Sequence, residues 1–215
     1  MQCVICHSTS LTATHNHIRW DVPVHTCQSC GHAYVYDRPD EDDTTKKYHS
    51  NKRRAVWYAN CLRVRPIQSV LDIGPSPDFA MLQLLQQQRP EVKKYYYDIR
   101  KLKAPGFIKK HNLEAPRVSV LTALHVLEHF ANPHDLIDLI TKLADYFMIE
   151  VPNCDEEKFR LSSSITTHYS FFTSSSLKRL MNMHGIKCKF GLSKYPHKPT
   201  DRAQLMAWTL PPKKK

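Results

Sequence analysis

Eighteen consecutive apolar residues occur nowhere in this 215-residue chain, so no segment is long enough to cross a bilayer as a helix. The opening MQCVICHSTS lacks the basic and apolar regions of a secretory signal, and a soluble, cytoplasmic protein with no membrane partner is expected. There is no internal repeat, and low complexity is confined to a short glutamine run at 86–88. Acidic residues are in the minority, 20 against 31 basic ones, which gives a formal net charge of +11. The excess is clustered at 52–54, 101–103, 109–110 and 213–215. Such a field concentrates phosphate-bearing ligands without reading a sequence, so a nucleic-acid partner is left open. The terminal lysines read as a solvated end.

Disulfides are not expected either. Seven cysteines are an odd number, and four of them form two close pairs, which fits metal ligation and free thiols in a reducing compartment. Cys3 with Cys6 and Cys27 with Cys30 are C-x2-C pairs with twenty residues between them, the spacing that brings four thiolates into a tetrahedron around zinc. Four sulfur ligands leave no open coordination position, so this zinc is expected to be structural. The ribbon could grip nucleic acid, dock a partner or cover a neighbouring domain. His7, His25 and His32 beside the knuckles are expected at the surface.

What remains is ordinary globular composition, 41% hydrophobic and 24% charged, with room for one domain and a small module. We place a zinc ribbon at 1–36, a linker and helix at 37–66, and an α/β domain with a short basic tail at 67–215. A helix over 52–64 would present Val56, Trp57, Cys61 and Leu62 to the next domain. Strand and helix signals then alternate: strands at 69–73, 92–99, 107–112, 117–124 and 147–151, helices at 78–88, 133–145 and 174–184. Asn132 caps the second of these helices with Pro133 in first position, Thr173 caps the third, and Gly185 closes it. Two last strands, in IKCKFGLSK and QLMAWTL, form an antiparallel hairpin.

Four strings in this order, VLDIGPSPDF (70–79), LHVLEHFANP (124–133), FMIEVPN (147–153) and HYSFFTSSSLKRLMNMHG (168–185), resemble the Rossmann-like S-adenosylmethionine-dependent methyltransferases over about 67–210. The resemblance implies a mostly parallel sheet with an antiparallel last strand, and S-adenosylmethionine as cofactor. CQSCGHAYVYDRPDEDDTTKKYH is similar to the zinc-bearing leader of methyltransferases acting on sugars and other small molecules. The cofactor-binding residues it implies are Asp72 and Gly74, which match the start of an Asp-x-Gly-x-Gly-x-Gly turn, Ser76 within that turn, Asp98 for the ribose hydroxyls, Asn112 for the adenine, and Leu124 and His125 facing the cofactor. Pro75 and Pro77 stand where that pattern carries further flexibility, and they stiffen the loop.

An oxygen or carbon nucleophile must lose a proton during methyl transfer, and a histidine titrating near neutrality can accept it. His129 is the expected base, with Glu128 and His168 as its catalytic neighbours; a structural role buttressing the next helix is the alternative for His129. Glu150 and Asn153 are placed to orient the acceptor. The expected activity is methyl transfer to oxygen or carbon of a small or phosphorylated, sugar-like acceptor. An RNA or DNA methyltransferase is a second reading, without an Asn-Pro-Pro-aromatic motif to support amino-group methylation. A catalytically inactive binding protein for nucleic acid or protein is the third.

Overall fold

The computed structural model describes residues 1–37, 52–98, 107–109, 117–156, 168–193 and 203–211. In chain order the elements are β1 (Leu11–Asn16), β2 (Pro23–Cys27), β3 (Ala33–Val35), α1 (Lys52–Arg63), β4 (Ser69–Ile73), α2 (Ala80–Gln88), β5 (Lys93–Tyr97) and β6 (Ile108–Lys109). They continue with β7 (Val118–Leu124), a 3-10 turn at Leu127–His129, α3 (Pro133–Leu143), β8 (Ala144–Val151), β9 (Ser170–Phe171), α4 (Ser174–Met183), β10 (Lys189–Leu192) and β11 (Leu205–Thr209).

Seven strands form one sheet in the order β10-β11-β8-β7-β4-β5-β6. The β8-β7-β4-β5-β6 part is parallel, while β11 runs antiparallel to both β8 and β10. Helices cover both faces, so the central strands are apolar on both sides. On one face Leu71, Ile73, Leu121 and Ile149 pack under α3 and α4; on the other Val70, Val120 and Met148 pack under α1 and α2. Such a sheet points every parallel strand's carboxyl end toward one edge, where α/β folds place their ligands.

A second sheet, β1-β2-β3-β9, joins the N-terminal strands to a segment beyond β8. β9 follows the last parallel strand, yet it pairs antiparallel with β3, Ala33 opposite Phe171 and Tyr34 opposite Ser170. This pairing across some 136 residues of chain has no signature in local sequence. Among the described residues no helix is long and apolar enough to cross a membrane.

Three sequence expectations shift. The buried stripe of α1 is Ala55, Tyr58, Ala59 and Leu62, while Val56 is 43% exposed. Hydropathy alone passes over Tyr58, whose hydroxyl is drawn inward by a buried carboxylate described below. The helix expected from residue 78 begins at Ala80, because Phe79 takes a left-handed conformation (φ 50°) and Asp78 works from outside, accepting from the Ala80 N–H at 3.3 Å. The helix expected to run to 145 ends at Leu143, where the Arg117 guanidinium donates to the carbonyls of Thr141 (2.8 Å) and Lys142 (3.1 Å). The caps hold as expected: Asn132 accepts from the His134 N–H, and Thr173 and Ser176 form a reciprocal capping box.

Candidate active site

At the carboxyl end of β4 the chain makes a tight turn. Gly74 has φ +61°, and its N–H donates to the Tyr97 carbonyl at 2.9 Å, which ties the turn to the end of β5. A Cβ on Gly74 would stand 2.8 Å from Val126 Cγ2, so only glycine lets the turn lie against the chain leaving β7. Ser76 donates to Asp78 Oδ1 (2.8 Å), and its carbonyl accepts from the Phe79 N–H (2.8 Å), closing the loop despite Pro75 and Pro77. Phe79 is buried, its ring meeting Tyr96 edge-on.

Asp72 and Asp98 are both buried at this edge. Burial, offset in part by the Thr122 hydroxyl (2.6 Å from Oδ1) and by Arg54, and reinforced by Asp98, pushes the Asp72 carboxyl up to about 7. Two buried acids within electrostatic reach of each other suit a ligand that brings positive charge and hydroxyl donors, as a sulfonium nucleoside does. Asn112 lies outside the described residues.

The chain leaving β7 holds the densest cluster of ionisable groups. His125, directly after Leu124, adopts φ +60°, an uncommon conformation for histidine that marks a locally enforced backbone. Its N–H donates to the Glu150 carbonyl (2.8 Å), and its ring lies between two fully buried carboxylates. Nε2 is 3.0 Å from Glu150 Oε1, and Nδ1 is 3.2 Å from Glu128 Oε1. Burial opposes the imidazolium, but the two carboxylates outweigh it and raise the His125 pKa. Burial likewise opposes ionisation of Glu150, and is outweighed by His125, Arg54 and the Tyr58 hydroxyl, which hold its carboxyl low. Tyr58 donates to Glu150 Oε2 at 2.6 Å, and Arg54 lies 3.6 Å from Oε1. Arg54 and Tyr58 are site residues that sequence reasoning missed. The available signal was the 55, 58, 59, 62 spacing on α1, which is helical but mixes small residues with a tyrosine.

Glu128, His129 and His168 converge one step further out. Glu128 and His129 belong to the 3-10 turn; His168 precedes β9. His168 Nε2 is 3.8 Å from Glu128 Oε1, and the His129 and His168 rings meet edge-on with centroids 4.8 Å apart. The next residue, Tyr169, donates its N–H to the Glu128 carbonyl at 2.9 Å and accepts from the Val35 N–H at 3.0 Å. One continuous run of backbone bonds therefore links β3, the entry to β9 and the turn that bears Glu128 and His129.

The four N-terminal cysteines also converge. Cys3 and Cys30 sulfurs are 3.7 Å apart and Cys6 and Cys27 sulfurs 3.6 Å, whereas a ZnS4 tetrahedron has edges of ~3.8 Å for Zn–S bonds of ~2.3 Å. The two loops repeat one geometry. His7 and Gly31 each follow a second cysteine with positive φ, and each donates its N–H to the first cysteine's carbonyl at 2.9 Å. The contact shared by the Cys3 and Cys30 sulfurs holds the Cys3 thiol down, to about 5, and pushes Cys30 up. The donor set and spacing suit zinc. This group is not isolated: Cys3, Ile5, Cys27 and Cys30 share a core with α3 and α4, and Ser175 donates to the Cys30 carbonyl at 2.6 Å.

A family model described as "Methyltransferase domain" matches residues 41–188. No curated protein sequence matches the chain. Among solved structures, an O-methyltransferase family protein from Burkholderia thailandensis is similar with TM-score 0.53 and 12% identity, over 74% of this chain and 57% of that one. The plantazolicin methyltransferase BpumL, in complex with a pentazolic desmethylPZN analog and SAH, gives TM-score 0.55 and 17% identity over 74% and 82%. Human N-acetylserotonin methyltransferase in complex with SAM gives 0.54 and 15% over 73% and 51%. The chain thus spans little more than half the length of the first and last of these. At such identities the likeness shows the fold.

Proposed function

Because the chain belongs to the methyltransferase-domain family, we propose that it transfers a methyl group from S-adenosylmethionine to an oxygen or carbon of a small acceptor. The observation that carries this reading is the gathering, at one sheet edge, of the Gly74 turn, the buried Asp72–Asp98 pair and the Glu128–His129–His168 cluster. S-adenosylmethionine supplies an electrophilic methyl group, so the protein's task is to hold two reactants in line and to manage one proton.

In this reading Asp98 holds the ribose hydroxyls, and the Gly74–Ser76 turn, with Asp72 beneath it, lies under the methionine portion. Leu124 and His125 wall the cofactor, and Asn112 faces its adenine. His125 is pinned by Glu128 and Glu150 and so is a rigid wall element. His129, at the half-buried rim, accepts the acceptor's proton, with His168 and Glu128 fixing its surroundings. The +11 charge favours a phosphorylated or otherwise anionic acceptor, sugar-like compounds included. The cysteine module is read as a structural zinc ribbon, a first unit at 1–36 that positions β9 beside the acceptor.

Release of S-adenosylhomocysteine over a panel of hydroxylated and phosphorylated acceptors tests the activity. His129→Ala is expected to abolish turnover while leaving S-adenosylhomocysteine affinity within about twofold; full activity in that variant would exclude the base role. A non-catalytic binding protein is the second reading, favoured by the two prolines in the cofactor turn. It predicts a folded chain that binds no S-adenosylhomocysteine.

A further inference from the structure

Glu128, His129 and His168 present three ligand atoms, two imidazole nitrogens and a carboxylate oxygen, that all lie within 4.8 Å of one another. We propose that they form a second metal site, distinct from the four cysteines, which holds a divalent first-row transition cation and through it the acceptor. This inference rests on the methyl-transfer reading above and deepens it.

Three features support it. Two histidines and one carboxylate are the donor set of a facial triad, which occupies three positions of a six-coordinate ion and leaves the others open. The carboxylate is the more telling member. Glu128 is fully buried, and among the described residues neither of its oxygens receives a well-aligned hydrogen bond. The groups facing it are imidazoles, His125 Nδ1 at 3.2 Å and His168 Nε2 at 3.8 Å. His125 is shared between Glu128 and Glu150, so a further cation would complete a buried carboxylate that has only part of one partner. Third, the site is preorganised: the Tyr169 N–H bond to the Glu128 carbonyl sets His168 across from the turn, and His125 stands behind Glu128 as an outer-shell partner.

Open coordination positions select an acceptor with two adjacent oxygens, such as a vicinal diol or a hydroxy acid, one of them the hydroxyl to be methylated. The cation lowers that hydroxyl's pKa. On transfer the O–H proton leaves to water, the oxygen forms its bond to the methyl carbon, and the C–S bond breaks with both electrons going to sulfur. No electron passes to or from the metal, so a redox-inert ion suffices. His129 is then a ligand, and water replaces it as the proton's destination.

Manganese is a suitable probe, because a hard ion does not displace zinc from four thiolates. Zinc-loaded protein titrated with Mn2+ and followed by electron paramagnetic resonance is expected to bind one ion per chain. Pulsed measurements on the same unmutated sample should show couplings from histidine nitrogen. Affinity should fall at least tenfold in His168→Ala and in Glu128→Gln. No Mn2+ bound at about 1 mM, or a bound ion without nitrogen coupling, would overturn the site. Calorimetry with S-adenosylhomocysteine on the same sample separates the two claims. Cofactor product bound without Mn2+ sinks the metal site alone; Mn2+ bound with nitrogen coupling, but no cofactor product, upholds the site and sinks methyl transfer.

Discussion

Asp72 carries a measurable consequence of being buried at the sheet edge. Its carboxyl, at about 7 in the folded chain, sits above the ordinary value of 3.8 that it takes when unfolded. Between those values the unfolded state releases its proton while the folded state keeps it, so this residue's contribution to stability falls as pH rises from about 4 to about 7 and is flat on either side. Asp72→Asn removes that titration and keeps an acceptor for the Thr122 hydroxyl. The variant is expected to match the parent near pH 4 and to exceed it above pH 7, by up to about 4 kcal/mol. Urea unfolding at a series of pH values checks this, and a difference that does not grow with pH would contradict the buried placement. Asp72 was legible in the sequence from DIG at the end of an apolar run. Its pairing with Thr122 and its nearness to Asp98 were not, because they depend on which strands lie side by side.

Among elements, α1 and β9 do the most that local sequence conceals. The inward face of α1 delivers Tyr58 to Glu150, the same carboxylate that holds His125. Tyr58→Phe leaves the ring in place and deprives a fully buried charge of one donor, which should cost about 1–3 kcal/mol. Val56→Ala on the opposite face should change stability by less than about 0.5 kcal/mol. Chemical denaturation of both variants compares the two, and equal losses would refute the assigned face. β9 is two residues long, and its partner β3 directly follows the second cysteine loop. On the proposed zinc reading, a chelator or the substitution Cys27→Ser should release both the cysteine module and the segment around His168 and Tyr169. Amide exchange at Tyr169 is expected to quicken together with that of β2 and β3. Retained protection at Tyr169 after zinc loss would show that the ribbon merely sits beside the site.

At the scale of the molecule, the alternating strands and helices could be read from apolar periodicity and the three helix caps from Asn132, Thr173 and Gly185, because both are local properties, while the antiparallel last strand came from the family resemblance. The cysteine pairs were equally plain, since their spacing has few other uses. The relation between the ribbon and the α/β domain was hidden. Nothing in residues 1–36 announces that they share a core with α3 and α4, or that their sheet is completed from residue 170 onward. The result brings two halves of the sequence to one edge, which the proposed methyl transfer would divide into a cofactor side on β4, β5 and β7 and an acceptor side on the turn after β7, β9 and the cysteine module. Methyl transfer requires the first of these. Isothermal titration of the zinc-loaded chain with S-adenosylhomocysteine is predicted to show one site per chain, weakened at least tenfold by Asp98→Ala. No binding at about 1 mM ligand by a folded, zinc-replete protein would contradict it.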